Sequence, residues 1–164
     1  MFTEEKTEEF IHNKEILLKE KVHTVLAYSY LFYFIALLIA LFLDFIFSFR
    51  IFDQTLILPV GILFLLFGSL LILWAQKTSR SLNKENVTKE TFSHGPYYFT
   101  RTPTHWGLTF LMLGFGIIAN AVFIVLFAII SFVISKFVFL KKEETILAQK
   151  YGVPYLEYKK SVRF

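Results

Sequence analysis

The stretch "GPYYFTRTPTHWG", residues 95–107, concentrates polar and turn-forming residues between two hydrophobic blocks. Arg101 is a permanent cation whose planar guanidinium suits a carboxylate or a phosphate. Pro103 favours the first turn of a helix. His105 is therefore expected early in that helix, near backbone N–H groups that favour an anion. Taken alone, the stretch also fits an interfacial loop in which arginine meets lipid phosphate.

A second group that could do chemistry follows the last hydrophobic block. Glu143 and Glu144 are adjacent and are flanked by Lys141 and Lys142. Acids in this place run against the positive bias of a cytoplasmic membrane boundary. Weak exposed pairing with the neighbouring lysines would explain them without a function. Combined with the arginine-bearing loop, they predict a cage for a ligand with an anionic end and a cationic or hydroxylated end.

The elements that must position these residues are membrane helices. Hydrophobic residues make up 55% of the 164-residue chain, and they lie in runs long enough to cross a bilayer. The composition therefore predicts an all-α, polytopic membrane protein with about four transmembrane helices, a C-terminal helical hairpin and a cytoplasmic tail helix. The predicted apolar segments are residues 25–47, 56–75, 106–119 and 121–140, the last two parted by Asn120. The segment 106–119 is short for a full crossing.

Smaller signals predict how these segments end and meet. Asp44 falls in the last turns of the first span, where an acid can extend to the interface. Gly61 and Gly68 share one helix face, which favours close helix packing over ligand access. In the tail, Gly152 and Pro154 indicate that one helix stops and another starts.

The distribution of charge predicts the orientation of the protein in the membrane, and the composition argues against nucleic-acid binding and thiolate metal sites. Basic residues crowd the loop 76–105 and the tail, so both are expected on the cytoplasmic side, with both termini. The net charge of +4 is interpreted as loop charge, and no nucleic-acid partner is predicted. The absence of cysteine excludes disulfides and thiolate metal sites, and no metal site is predicted. The membrane is expected to be a cell inner membrane or one like the endoplasmic reticulum.

The chain is predicted to form one domain, residues 23–164, preceded by an amphipathic segment, residues 1–22. Apolar residues recur in that segment at helical spacing, as expected for a helix near the membrane surface. A solvated extension without a role of its own and a helix that mediates a homodimer are both open alternatives.

From about Leu73 onward the sequence resembles a known family. "GPYYFTRTPTHWG", a helical hairpin and "EETILAQKYGVPYLEYKKSVRF" follow one another in this order. This order and spacing are similar to those of the isoprenylcysteine carboxyl methyltransferase and phospholipid methyltransferase group of integral membrane enzymes. The family pattern is Gly-Pro-Tyr, Arg-His-Pro-x-Tyr-x-Gly, a hairpin, Glu-Glu and an aromatic tail. The resemblance covers residues 73–164, more than half of the chain.

The resemblance implies S-adenosylmethionine as the methyl donor, bound by residues 73–164 at the cytoplasmic face. It also implies a lipophilic acceptor, such as an isoprenylcysteine carboxylate or a phospholipid amine, and membrane lipid as a partner. Together with the acid–base chemistry of the residues nearby, it predicts catalytic roles for Arg101, His105 and Glu143. The residues predicted to bind the cofactor are His94, Gly95, Pro96, Tyr97, Arg101, Thr102, Pro103, His105, Gly107, Glu143 and Glu144, of which His94, Thr102 and His105 are not matches to the family pattern.

Two positions depart from the family pattern. Thr102 stands where the family has histidine, and His105 stands where it has tyrosine. Threonine can still donate one hydrogen bond but carries no charge. These departures leave a non-catalytic membrane scaffold or lipid-binding protein as one alternative. A sterol-type reductase that uses NADPH is a second alternative, although such reductases typically lack the Glu-Glu pair.

Overall fold

The computed structural model describes residues 2–47, 49–50, 54–80 and 88–162; side chains are described from residue 23 in the first helix and from residue 57 in the second. Seven α-helices and one short 3₁₀ turn, Gly95–Tyr98, make up the described fold. The helices are α1 (Phe2–Phe47), α2 (Gln54–Arg80), α3 (Lys89–Phe92), α4 (Pro103–Ile118), α5 (Val122–Phe137), α6 (Phe139–Tyr151) and α7 (Val153–Ser161). The described residues contain no β-strand, so the all-α prediction is confirmed.

Three helical segments are long and apolar enough to cross a membrane. They are His23–Phe47, Ile57–Arg80 and Val122–Tyr151, the last containing α5 and α6. Helix α4 is apolar but has only 16 residues, which rise about 24 Å against the roughly 30 Å of a bilayer's hydrocarbon core. The chain is therefore an integral membrane protein with three full-length spans and a shorter fourth helix. The predicted hairpin is confirmed: α4 and α5 have 16 residues each, and α6 lengthens the second arm.

Glycines bring α2 and α4 into close contact. A Cβ added at Gly61 would lie 3.0 Å from the carbonyl oxygen of Gly114, and one added at Gly68 would lie 2.8 Å from that of Gly107. These four residues, called the glycine seam below, leave no room for side chains between the helices. Small residues permit such an approach where lipid offers no hydrophobic force to press helices together. The predicted role of Gly61 and Gly68 is confirmed.

The turn between α4 and α5 is fixed from α1. Asn120 has a φ of 53°, in the left-handed region that asparagine tolerates better than most residues. The carboxylate of Asp44 accepts hydrogen bonds of 3.1 Å from the backbone N–H groups of Phe123 and Ile124. These groups belong to the first turn of α5, which lacks intrahelical acceptors. The carboxylate of Asp44 therefore caps a neighbouring helix, a role that the sequence did not predict.

The tail folds back over the segment that precedes α4. Gly152 has a φ of 61° and separates α6 from α7, which confirms the predicted stop and restart. Phe92 from α3 packs with Tyr155, Tyr158 and Val162 in a buried group, called the tail cluster below. The C-terminal helix is consequently held against the loop that carries the candidate site.

Candidate functional site

The loop from Gly95 to Thr102 is fixed from two sides. Gly95 has a φ of 58°, and a Cβ there would lie 2.5 Å from the hydroxyl oxygen of Thr78 on α2. On the other side, the hydroxyl of Tyr158 on α7 donates a 2.7 Å hydrogen bond to the backbone carbonyl of Tyr97. Pro96 between them is fully buried. These contacts position the loop, and with it Arg101 just before α4.

Arg101 and the second acid of the tail meet directly. Arg101 Nη1 lies 2.5 Å from Glu144 Oε1, and Lys159 Nζ on α7 lies 2.7 Å from Glu144 Oε2. The side chains of Arg101 and Glu144 are only 15% and 9% exposed. A buried carboxylate needs such partners, since leaving water is costly for a charge. The predicted meeting of the arginine loop with the carboxylate pair is therefore present in the fold.

The first acid of the tail faces the histidine of α4. Glu143 Oε1 lies 3.9 Å from His105 Nε2, beyond hydrogen-bonding distance; the His105 side chain is buried and that of Glu143 is 13% exposed. Neither atom has a hydrogen-bond partner among the described residues. Buried polar atoms are rarely left without a partner. Both atoms therefore keep a hydrogen-bonding capacity that no described residue uses.

Tyr33 of α1 supports His105 from the far side. Its ring centroid lies 6.4 Å from that of His105, and its hydroxyl is 3.1 Å from Thr109 Oγ1. Thr109 in turn donates a 2.8 Å hydrogen bond to the carbonyl of His105. The first helix therefore contributes to the surroundings of a site whose other residues come from the C-terminal half.

Tyr97 forms part of the wall beside Glu143. Burial raises the pKa of its phenol to about 12, and the nearby charge of Glu143 adds to the rise, while side-chain hydrogen bonds with Ser79 and Thr104 oppose it. Tyr97 is therefore a neutral hydrogen-bonding group at physiological pH. Burial likewise raises the pKa of Tyr155 and of Tyr158 in the tail cluster.

A small cleft opens between α4 and α5 beside these charges. Its lining residues are Arg101, Thr102, His105, Trp106, Phe132, Ser135, Lys136 and Leu140. The rings of Trp106 and Phe132 lie 4.4 Å apart. Trp106 is thus an aromatic face in the cleft, whereas the ring of Tyr98 is 64% exposed and stacks edge-on against Phe99. The cleft combines cationic, hydroxyl and apolar surfaces.

Other predicted site residues take structural positions. Gly107 belongs to the glycine seam and faces Gly68 and Ile72 of α2. Pro103 is buried as the first residue of α4, as its helix-starting role predicted. His94 is exposed and its carbonyl accepts a hydrogen bond from the N–H of Tyr97. Helix packing and loop geometry are thus sufficient to explain Gly107, Pro103 and Gly95.

Tyr33 and Lys159 are residues of the site that were missed from the sequence, as were Phe132, Ser135, Lys136 and Leu140 of the cleft. Tyr33 lies within an apolar span that also contains Tyr28 and Tyr30, and nothing along the chain distinguishes it from them. Lys159 is one of several lysines in a polar tail, and nothing in its sequence surroundings distinguishes it from Lys160. Their contribution depends on contacts between elements that are distant along the chain.

The fold and the site define an integral membrane protein whose buried arginine–glutamate pair joins the loop before a helical hairpin to the tail after it. The family model for phospholipid methyltransferases matches residues 56–153, more than half of the chain. The chain therefore belongs to the phospholipid methyltransferase family, whose members generally use S-adenosylmethionine. Comparisons with curated proteins and with solved structures gave no match.

Proposed function

We propose that this protein transfers a methyl group from S-adenosylmethionine to a lipophilic acceptor at the cytoplasmic face of its membrane. The observation that carries the proposal is that the family match encloses Arg101, His105, Glu143 and Glu144, which converge at one end of the hairpin. The acceptor class is an isoprenylcysteine-like carboxylate or a phospholipid-like amine.

Charged residues in and beside the cleft fit the charges of the proposed cofactor. Its amino-acid end carries a carboxylate and an ammonium group, which Arg101 and Glu143 complement. The unpartnered oxygen of Glu143 and the unpartnered ring nitrogen of His105 are places where polar groups would complete hydrogen bonds. When bound, S-adenosylmethionine supplies a methyl group made electrophilic by the sulfonium.

The chain's own residues would orient the reactants and exclude water. The apolar faces of Trp106 and Phe132 keep solvent from one side of the cleft. Trp106 also offers an aromatic face for a cation. An amine acceptor must lose a proton, and His105 or Glu143 can take it, whereas a carboxylate acceptor needs no base.

The membrane setting supports a lipophilic acceptor. The outer surfaces of α1, α2 and α5 are rich in exposed leucine, isoleucine and phenylalanine, as expected for lipid-facing helices. An acceptor dissolved in the bilayer could approach between helices while a water-soluble cofactor approaches from the loop side. This arrangement brings two reactants of opposite solubility to one place.

Binding of S-adenosylhomocysteine to the full chain in detergent tests the proposal. Calorimetric titration should give saturable binding, and an equal titration with NADPH should give none. Incubation with S-adenosylmethionine labelled on its methyl group and a total lipid extract should then yield labelled lipid. Binding of NADPH alone would favour the reductase alternative. Binding of neither compound would contradict methyl transfer and favour the scaffold.

A further inference from the structure

Lys159 lies outside the residues matched by the family model, yet it contacts the centre of the site. The matched region ends at residue 153, one residue into α7. Lys159 Nζ is nevertheless 2.7 Å from Glu144 Oε2, while Arg101 Nη1 contacts the other oxygen of the same carboxylate. One glutamate of α6 therefore joins two cations, one from the loop before α4 and one from the C-terminal helix.

The two adjacent acids consequently have different surroundings. Each oxygen of Glu144 already has a cation within 2.7 Å. Among the described residues, Glu143 has no cation this close, and its Oε1 faces His105 Nε2 across a 3.9 Å gap. Glu143 is thus placed to receive a ligand group, while Glu144 is placed to hold Arg101 and α7.

The position of α7 does not depend on the lysine alone. Tyr155, Tyr158 and Val162 of this segment are buried in the tail cluster with Phe92. Tyr158 also donates its hydroxyl hydrogen bond to the loop carbonyl of Tyr97. A neutral side chain at position 159 would therefore remove one ion pair and leave the helix docked.

We propose that Lys159 is a positioning residue of the cofactor site, acting through Glu144 to hold Arg101 in its binding orientation. This proposal rests on the proposed function for its ligand. A carboxylate held at both oxygens has less freedom than one held at a single oxygen, so its contact with Arg101 is better defined. Helix α7, which lies almost entirely beyond the family-matched region, then contributes Lys159 to the site.

Affinity for S-adenosylhomocysteine in Lys159→Met and Lys160→Met is the first test, with full-length protein in detergent. Lys160 is the matched control, because it is the next residue on α7 and is exposed. Lys159→Met should weaken binding about fivefold, the scale of a partly exposed ion pair, and Lys160→Met should leave it unchanged. Lys159→Arg should restore most of the affinity, since the positive charge is kept.

A double-mutant cycle with Glu144→Gln tests whether the lysine acts through the glutamate. In the Glu144→Gln background, adding Lys159→Met should weaken binding less than twofold further. A full fivefold loss in that background would overturn the proposal, because Lys159 would then act independently of Glu144. Equal affinities of Lys159→Met and Lys160→Met would also overturn it.

Hydrogen exchange separates this proposal from the proposed function. Amides of residues 95–101 should exchange faster in Lys159→Met than in Lys160→Met, because local opening of the loop becomes easier. If wild-type protein binds no S-adenosylhomocysteine, the proposed function fails, and this comparison still tests whether Lys159 fixes the loop. Equal exchange in the two variants would overturn the positioning role.

Discussion

The glycine seam and the tail cluster hold the molecule together by opposite means. At the seam, α2 and α4 approach so closely that an added Cβ would meet a backbone oxygen at 2.7 to 3.0 Å. At the tail, large aromatic side chains fill the space between α3 and α7. Lipid is as apolar as any side chain, so helices within it gain from close contact, whereas in water the burial of aromatic area is itself favourable. The candidate site lies between the glycine seam and the tail cluster.

The largest expected effect comes from filling the seam. Gly68→Leu should destabilise the protein by about 3 kcal/mol, the upper range for overpacking, because its Cβ would lie 2.8 Å from the Gly107 carbonyl. Thermal unfolding in detergent measures the loss. Ser69→Leu, at an exposed position of the same helix, is the control and should change little. Similar stability of the two variants would contradict the close contact.

Removal of the cap on α5 should have the next largest effect. Asp44→Ala should cost about 2 kcal/mol, at the upper end for a helix cap, because two backbone N–H groups lose their acceptor. Asp44→Asn keeps one acceptor oxygen and should lose less. The same unfolding measurement ranks the two variants. An Asp44→Ala protein as stable as wild type would contradict the capping role.

Changes to the ion pair should act on binding more than on folding. Arg101→Ala and Glu144→Gln should each weaken binding of S-adenosylhomocysteine at least tenfold, or about 1.4 kcal/mol. Both variants should still fold, because the packing of the tail cluster is unchanged. Calorimetric titration measures the loss of affinity, with Lys142→Met, exposed on α6, as the control. Unchanged affinity in both variants would contradict the assignment of Arg101 and Glu144 to the binding site.

The smallest expected effect is at the contact between α7 and the loop. Tyr158→Phe keeps the ring in the tail cluster but loses the hydrogen bond to the Tyr97 carbonyl, which should cost about 1 kcal/mol. Tyr98→Phe is the matched control, since its ring is 64% exposed. Equal unfolding temperatures of the two variants would show that aromatic burial alone fixes α7.

Local patterns in the sequence predicted much of this fold. Asn120 marked the hairpin turn, Gly152 the break in the tail, and Gly61 with Gly68 the close contact of α2. Each signal depends on the conformation or size of a residue and not on its distant neighbours. The capping role of Asp44 was not predicted, because the N–H groups that donate to its carboxylate lie about eighty residues further along the chain.

The sequence by itself determined the family and the identities of the charged residues near the hairpin, because both depend on residue types at fixed spacings. The tertiary structure alone decided which partner each charge has. Glu143 and Glu144 are neighbours in sequence, but consecutive residues of a helix point about 100° apart. One therefore faces His105, and the other faces Arg101 and Lys159. No pattern along the chain distinguishes the two acids, since the difference arises from the helices that surround them.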